Sequence, residues 1–241
     1  MYYGLFKHVL LGPPLKGYYR PWAEGTENVP ESGGAILASN HLSFSDSVFL
    51  PLVLKRKVVF LGKEEYFTGR GVKGWATKAF MEGVGTIPVH RGGGRASEAA
   101  LRTGMQVLQG GELLGIYPEG TRSPDGRLYR GKTGVARLAI EAGVPIVPVA
   151  MIGTDVAQPI GQKVPSRADI GVRIGPPISI GDYRGKQDDR DALRALTDEV
   201  MAAIAALSGQ EIADRDAAQY KRELDRAARE ATDASDGPAQ A

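Results

Sequence analysis

Two short polar clusters in the sequence contain residue types that can move a proton or bind an anion. The first cluster, NHLSFSD, places His41 and Asp46 in an H-x4-D pattern. Histidine is the natural general base near neutral pH, and an aspartate can fix its tautomer and stabilise the imidazolium that forms. Five residues on a regular helix turn through about 500°. The two side chains can therefore meet only if His41 lies on a turn and Asp46 lies in the first turn of the helix that follows.

The second cluster, PEGTRS, has a composition suited to a phosphate group. Gly120 allows a ligand to approach the backbone closely, Arg122 offers a planar fork of donors that matches phosphate oxygens, and Thr121 adds a hydroxyl. Each cluster also has a purely structural alternative. Asp46 could serve only as a helix cap, and PEGTRS could be a surface turn, because the turn-forming sequence SPDG overlaps its end.

Strand and helix patterns alternate along the chain and bring these clusters to one edge of a sheet. Apolar runs and helical periodicity predict strands at 34–39, 58–62, 85–90, 113–117, 145–152 and 169–180, with helices at 44–54, 72–81, 95–108 and 133–142. This alternation indicates an α/β fold with a largely parallel or mixed sheet flanked by helices. Pro88 suggests that the third strand lies at an edge or a bulge. Ligands bind at the carboxyl ends of such strands, where the first four are followed by Asn40 and His41, Lys63, Arg91, and PEGTRS.

Composition excludes several classes of chemistry. The chain has no cysteine, which removes disulfides, thiolate metal sites and a cysteine nucleophile. No metal-ligand spacing or G-x-S-x-G elbow occurs in the sequence. Residues 187–241 contain 7 basic and 13 acidic residues, a net charge of −6. The first 186 residues contain 23 basic and 15 acidic residues, a net charge of +8. A basic body suits anionic lipid or phosphate, whereas nucleic acid is disfavoured because no basic stripe with interleaved aromatics occurs.

The N-terminal segment has the composition of an interfacial membrane contact. Residues 1–22 are rich in aromatic side chains, contain Lys7, Lys16 and Arg20, and have no apolar run of spanning length. A second contact is expected at 50–60, around Lys55-Arg56-Lys57. The prediction is a peripheral or monotopic protein on the cytoplasmic face of a membrane. The alternative is a first helix that packs on the core.

Four blocks of sequence resemble those of the 1-acylglycerol-3-phosphate acyltransferases, also called lysophosphatidic acid acyltransferases. NHLSFSD, GTIPVHR, YPEGTRS and VPIVPV occur in that family's order and with similar spacing, over roughly residues 28–177. The resemblance implies transfer of a fatty acyl group from acyl-CoA or acyl carrier protein to the hydroxyl of lysophosphatidic acid. The product would be phosphatidic acid for phospholipid synthesis, and no cofactor would be needed besides the acyl donor.

The resemblance also implies roles for individual residues. His41 would be the general base and Asp46 its orienting partner, while Arg91 and Arg122 would bind phosphate. The predicted substrate-binding residues are Asn40, Lys63, Arg91, Glu119, Gly120, Thr121, Arg122 and Lys132. For the two lysines, the alternative is a solvated surface side chain. Backbone N–H groups near Gly120 are candidate donors to the carbonyl oxygen that becomes negatively charged during transfer.

The same reasoning divides the chain and leaves other functions open. The expected parts are an amphipathic membrane-interface segment at 1–27, an acyltransferase domain at 28–185, C-terminal helices at 186–231 and a disordered tail at 232–241. The acceptor could instead be glycerol-3-phosphate or another lysolipid. Further alternatives are a thioesterase or lipid hydrolase, in which water replaces the acceptor, and a non-catalytic lipid-binding protein.

Overall fold

The computed structural model of the protein describes residues 2–89, 94–162 and 164–235, and a mixed sheet runs through its centre. The strands, in chain order, are β1 (Trp22–Glu24), β2 (Ala35–Ser39), β3 (Val58–Lys63), β4 (Thr86–Val89), β5 (Leu113–Ile116), β6 (Leu128–Tyr129), β7 (Ile146–Ile152), β8 (Gly171–Ile174) and β9 (Ile212–Ala213). Seven of them form the main sheet in the order β1-β8-β7-β2-β5-β3-β4. Its neighbouring strands are parallel except β7 and β8, which are antiparallel. Strands β6 and β9 form a separate parallel pair.

Helices cover both faces of the main sheet. They are α1 (Tyr2–Leu5), α2 (Gly12–Tyr19), α3 (Asp46–Val53), α4 (Gly71–Gly83), α5 (Gly94–Gln109), α6 (Gly134–Ala142), α7 (Thr154–Ala157), α8 (Arg190–Ser208) and α9 (Ala217–Ser235), with a π-helical turn at Phe6–Leu10. Successive residues of β2 point to opposite faces: Ile36 packs with α6 and α8, and Leu37 packs with α3. A strand buried on both faces reads as a continuous apolar run, which is why β2 was recognisable from sequence.

The predicted elements are confirmed for most of the chain, with boundaries that shift by a few residues. Pro88 lies on β4 at the edge of the sheet, as expected. Helix α6 ends at Gly143, whose φ of 68° is left-handed and therefore suits glycine. In the region 169–180, β8 is the only strand of the main sheet, and Ile178 adds an isolated bridge to Ile146.

The C-terminal helices differ from the prediction in two places. Helices were expected across 186–231, but Ile212 and Ala213 pair with Leu128 and Tyr129 as a short strand, and α9 starts only at Ala217. The helix then continues to Ser235, past the predicted boundary at 231. The strand pairing is a long-range contact that the helical pattern of the segment does not reveal.

The expected second membrane contact at 50–60 is wrong for its apolar residues. Leu50, Leu52, Leu54, Val58 and Phe60 are all buried in the core. The Arg56 guanidinium donates to the carbonyl oxygens of Pro30, Gly33 and Gly111, at 2.6, 2.7 and 2.5 Å. Residues 50–60 therefore form the end of α3, the start of β3 and the loop between them, and their apolar side chains pack in the core.

The N-terminal segment packs on the body of the protein and also leaves apolar side chains in solvent. Tyr19 contacts Phe49 edge to face at 5.1 Å, and its hydroxyl donates to the Pro165 carbonyl oxygen at 2.8 Å. Val9 and Tyr18 are exposed. In the part of the chain described, no helix is both long enough and apolar enough to cross a bilayer.

Candidate active site

His41 and Asp46 meet across the turn that joins β2 to α3. His41 lies in the loop after β2, and Asp46 is the first residue of α3. The imidazole Nδ1 and the carboxylate Oδ2 are 2.9 Å apart, and the Asp46 side chain is fully buried. The same Oδ2 accepts the backbone N–H groups of Leu42 and Ser43, at 2.8 and 2.9 Å. The predicted turn geometry is therefore present, and the carboxylate is held in place by the loop that carries the histidine.

This pairing determines which imidazole nitrogen is available to a substrate. An ionised carboxylate only accepts hydrogen bonds, so Nδ1 of His41 carries the proton and donates it to Asp46. In the neutral ring, Nε2 then has a free lone pair. His41 lines the main cavity, and its side chain is 18% exposed. The geometry thus provides a base that lines a cavity and is held in one tautomer.

Tyr117 supports the imidazole and was missed by sequence reasoning. Its ring stacks on His41 with a centroid distance of 3.8 Å and an interplanar angle of 10°. Phe60 stacks at 5.7 Å from Tyr117, and the tyrosine hydroxyl is 2.8 Å from Ser47 Oγ. Burial raises the pKa of Tyr117 well above its usual value, so the phenol stays neutral. The available signal was its position immediately before PEGTRS at the end of a strand.

Glu119 lies behind the site, where it joins two loops. Its side chain is 1% exposed; Oε1 accepts the backbone N–H of His41 at 3.1 Å, and Oε2 accepts that of Tyr129 at 2.9 Å. Ser123 N–H donates to the His41 carbonyl oxygen at 2.8 Å and ties the same loops a second time. Glu119 is not among the residues that line the cavity. We therefore assign it a positioning role rather than the predicted contact with substrate.

Asn40 is also turned away from the cavity. It is fully buried, its Nδ2 donates to the Met151 carbonyl oxygen at 3.0 Å and to Gln210 Oε1 at 2.7 Å, and its Oδ1 accepts Met151 N–H at 2.7 Å. A buried amide needs such partners. Asn40 therefore fastens the end of β2 to β7 and to the C-terminal segment, and the predicted role in substrate binding does not fit its position.

Cationic side chains form part of the cavity wall. Lys63 at the end of β3, Arg122 and Lys132 line it together with Gly120 and Thr121. None of the ion pairs within the described part of the chain involves these three cations. Gly120 has a φ of 74°, and an added Cβ would lie 3.1 Å from Lys132 Nζ, so glycine keeps this corner open. The predicted Arg91 lies outside the described residues.

The cavity has a volume of about 500 Å³, and apolar side chains line it together with these cations. The large apolar residues come from β3, β5 and helices α3 to α6, from the loop before α3 and from the end of α4: Phe44, Val48, Phe60, Leu61, Phe80, Met81, Val84, Leu101, Ile116, Val135 and Leu138. Lys221 from α9 also lines the cavity, although it was not predicted. A molecule with an anionic head and a hydrocarbon chain matches these two environments.

The backbone donors near Gly120 are only partly available. Gly120 N–H donates to the Tyr117 carbonyl oxygen at 3.0 Å. Among the described residues, no acceptor contacts the N–H groups of Thr121 and Arg122. The remaining candidate donors to the substrate carbonyl oxygen are therefore the backbone N–H groups of Thr121 and Arg122.

Glu119 should make the stability of the protein depend on pH in a recognisable way. The pKa of Glu119 is raised to about 7, chiefly by burial of its carboxyl group. The hydrogen bonds from the backbone N–H groups of Tyr129 and His41 lower this pKa, and the nearby charges of Asp46 and Asp125 raise it. Because the folded protein holds this proton more tightly than the unfolded chain, the contribution of Glu119 to stability should fall as pH rises from about 4.5 to about 7. The expected change is on the order of 3 kcal/mol.

The measurement is urea unfolding at several pH values, with Glu119→Gln as the matched variant. Glutamine keeps the shape but cannot titrate, so the stability of the native protein relative to the variant should decrease across this range. A difference between the two proteins that is constant from pH 4.5 to 8 would contradict the assignment.

The chain is similar in sequence to known acyltransferases. The sequence profile of the acyltransferase family matches residues 21–152. A chloroplastic 1-acyl-sn-glycerol-3-phosphate acyltransferase of Brassica napus is 34% identical over 190 residues, which are 78% of this chain and 51% of that protein. The chain thus spans about half the length of this relative. The Bacillus subtilis 1-acyl-sn-glycerol-3-phosphate acyltransferase is 26% identical over 186 residues, 76% of this chain and 86% of its own.

A solved structure has the same fold. The crystal structure of the 1-acyl-sn-glycerophosphate acyltransferase of Thermotoga maritima aligns with a TM-score of 0.61 and 25% identity, over 82% of this chain and 80% of that one. The family match covers the strands and helices that carry His41, Asp46 and the PEGTRS cluster, including the turn that joins the first two. The chain therefore belongs to the acyltransferase family.

Proposed function

We propose that this protein transfers a fatty acyl group from a thioester to the free hydroxyl of lysophosphatidic acid, giving phosphatidic acid. The observation that carries the proposal is the arrangement around the cavity. An imidazole oriented by Asp46 lines a cavity whose walls contain both cationic and apolar side chains. The names of the relatives described above support the same acceptor.

The reaction follows from the free lone pair of His41. Nε2 accepts the proton of the acceptor hydroxyl as its oxygen attacks the thioester carbonyl carbon, and Asp46 stabilises the imidazolium that results. The negative charge that develops on the carbonyl oxygen can be met by the N–H groups of Thr121 and Arg122. The carbon–sulfur bond then breaks, and the imidazolium returns the proton to the departing thiolate. Because the sequence has no cysteine and the acceptor attacks directly, the reaction requires no acyl-enzyme.

The cationic and apolar residues of the cavity suit the two parts of the substrates. Lys63, Arg122 and Lys132 would bind the phosphate of the acceptor through charge-assisted hydrogen bonds. The apolar walls would hold an acyl chain. Acyl-CoA and acyl carrier protein both present the acyl group as a thioester, and we propose one of them as the donor for phospholipid synthesis.

A hydrolase is the main competing function, and the cation cluster argues against it. Water needs no phosphate site, whereas the cavity has four cations without ion-pair partners among the described residues. The test is product analysis by mass spectrometry after incubation of purified protein with acyl-CoA and one acceptor at a time. Phosphatidic acid formed from lysophosphatidic acid supports the proposal; free fatty acid alone supports the hydrolase. Preferred acylation of glycerol-3-phosphate would change the acceptor, and no reaction with any donor would favour a binding protein.

We further propose that the protein binds the cytoplasmic surface of a membrane through exposed residues of the N-terminal segment and α4. Val9 is 61%, Val72 85% and Trp75 71% exposed, and α1 contacts α4, so the two elements are adjacent. Lys73 and Lys78 lie on the same helix as Val72 and Trp75, and Lys78 forms an i,i+4 ion pair with Glu82 at 3.8 Å. Apolar side chains flanked by cations are typical of an interfacial contact with anionic lipid.

Substitution of these side chains should weaken vesicle binding. Deleting residues 1–22 would also remove packing on the core, so point variants are the sharper test. The double variant Val72→Ser with Trp75→Ser should reduce partitioning into phosphatidylglycerol-containing vesicles about tenfold or more, since each tenfold corresponds to about 1.4 kcal/mol. Flotation measures this, with Leu224→Ser on α9 as an exposed apolar control. Equal flotation of the double variant and the control would place the contact elsewhere.

A further inference from the structure

The C-terminal helix contributes a charged residue to the cavity from outside the family match. The profile match ends at residue 152, whereas α9 begins at Ala217. Lys221 on its second turn nevertheless lines the same cavity as Arg122 and Lys132. The C-terminal segment has a net negative charge and nevertheless contributes a cation to the cavity.

Packing fixes the start of α9 against the loop that follows PEGTRS. Leu128 and Tyr129 pair with Ile212 and Ala213, and Tyr220 stacks on the buried Tyr129 at 5.8 Å. Tyr129 in turn donates its N–H to Glu119, the residue that also holds the His41 loop. Because Tyr220 is so anchored, the position of its neighbour Lys221 is coupled to the positions of the candidate catalytic residues.

Two side-chain hydrogen bonds of Gln210 hold the segment just before α9 in place. Gln210 accepts a hydrogen bond from Asn40 Nδ2 at 2.7 Å and donates from its Nε2 to the Gly126 carbonyl oxygen at 2.5 Å. Asn40 immediately precedes His41, and Gly126 lies in the loop after PEGTRS. The C-terminal segment is therefore attached to both loops that form the site.

The acidic residue closest in sequence to Lys221 is already paired with another cation. Glu223 forms an ion pair with Arg215, whose guanidinium also lies 4.1 Å above the Tyr220 ring. Glu223 accepts a further hydrogen bond from Gln219 at 3.1 Å. None of the ion pairs in the described segments includes Lys221, which is half-buried. Its ammonium group thus remains available to an anion in the cavity.

We propose that Lys221 binds a substrate phosphate and so makes α9 part of the active site. The proposal rests on the proposed acyl transfer, because it supplies a fourth cation to the same cavity. Two sources offer this phosphate: the headgroup of the acceptor and the phosphates of an acyl-CoA donor. A lysine binds either as a flexible point charge with three donors. The expected consequence is weaker binding of that substrate, with little change in the chemical step.

The test compares Lys221→Gln with Arg222→Gln in the otherwise intact protein. Arg222 is the next residue, is exposed, and does not line the cavity, so its substitution removes the same charge at a similar position. Glutamine is a good helix former, so both variants should keep the helix. Far-ultraviolet circular dichroism checks this before kinetics are measured with both substrates varied.

Lys221→Gln is expected to raise one KM about tenfold and to leave kcat within a factor of two, the effect of losing a charge-assisted contact. A higher KM for lysophosphatidic acid that is absent with monoacylglycerol identifies the acceptor phosphate. A higher KM for acyl-CoA identifies the donor. Lys221→Arg should recover much of the loss. The proposal is overturned if both glutamine variants change the two KM values equally.

A binding measurement separates this proposal from the proposed reaction. Inorganic phosphate and glycerol-3-phosphate are titrated into each protein, and the shift in melting temperature is recorded. A shift that is smaller in Lys221→Gln than in Arg222→Gln supports the phosphate contact even if no acyl transfer is found. Equal shifts in the two variants, in a protein that does transfer acyl groups, contradict the role of Lys221 and leave the proposed function intact.

Discussion

Replacing His41 with alanine is expected to reduce acyl transfer by about 10²–10⁴-fold, the usual effect of removing a general base. The fold should survive, because the loop is held by main-chain atoms that alanine retains. His41 N–H still donates to Glu119, and its carbonyl oxygen still accepts from Ser123. Asp46 also keeps its bonds to the N–H groups of Leu42 and Ser43. The loss should therefore appear in kcat and not in unfolding.

Asp46→Asn is the informative companion to this variant. It leaves the imidazole in place but replaces the acceptor of Nδ1–H with an amide that can stabilise the wrong tautomer. Activity should fall severely, with more residual turnover than in His41→Ala. Steady-state rates with saturating acyl-CoA and lysophosphatidic acid, together with urea unfolding, provide the comparison. Near-normal turnover by a folded His41→Ala protein would refute the mechanism.

The proximity of His41 and Asp46 could be predicted because helix geometry leaves few options. A spacing of five residues is incompatible with one helical face, so a turn before the helix was needed, and the apolar run 34–39 placed that turn after a strand. The alternation of strand and helix patterns also predicted that Lys63 and PEGTRS lie at the same edge of the sheet. Both predictions depend on local sequence patterns alone.

The side chains that sequence reasoning misjudged depend on long-range packing. Asn40 and Glu119 have residue types common in active sites, but their partners come from β7, the C-terminal segment and β6. Tyr117 supports the imidazole through a ring contact that no spacing rule encodes. Lys221 lies on the helix that follows β9, and β9 pairs with β6, a contact between segments more than eighty residues apart. Such contacts can be identified only once the tertiary structure is known.

Arg122 should determine how strongly the protein prefers an acceptor that carries a phosphate. Its side chain lines the cavity with Lys132 at the end of the site that Gly120 keeps open. Removing a charge-assisted contact costs about 1.5–3 kcal/mol, so Arg122→Ala should raise the KM for lysophosphatidic acid about 10- to 150-fold. Arg122→Lys keeps the charge without the planar fork and should fall between alanine and the native residue.

Monoacylglycerol provides the control for the assignment of Arg122, because it presents the same hydroxyl and acyl chain without phosphate. The ratio of kcat/KM for lysophosphatidic acid to that for monoacylglycerol should collapse in Arg122→Ala, while the KM for acyl-CoA stays nearly constant. An equal loss with both acceptors would mean that Arg122 acts on the reaction itself, as a donor to the carbonyl oxygen. An increase confined to the KM for acyl-CoA would move the phosphate contact of Arg122 from the acceptor to the donor.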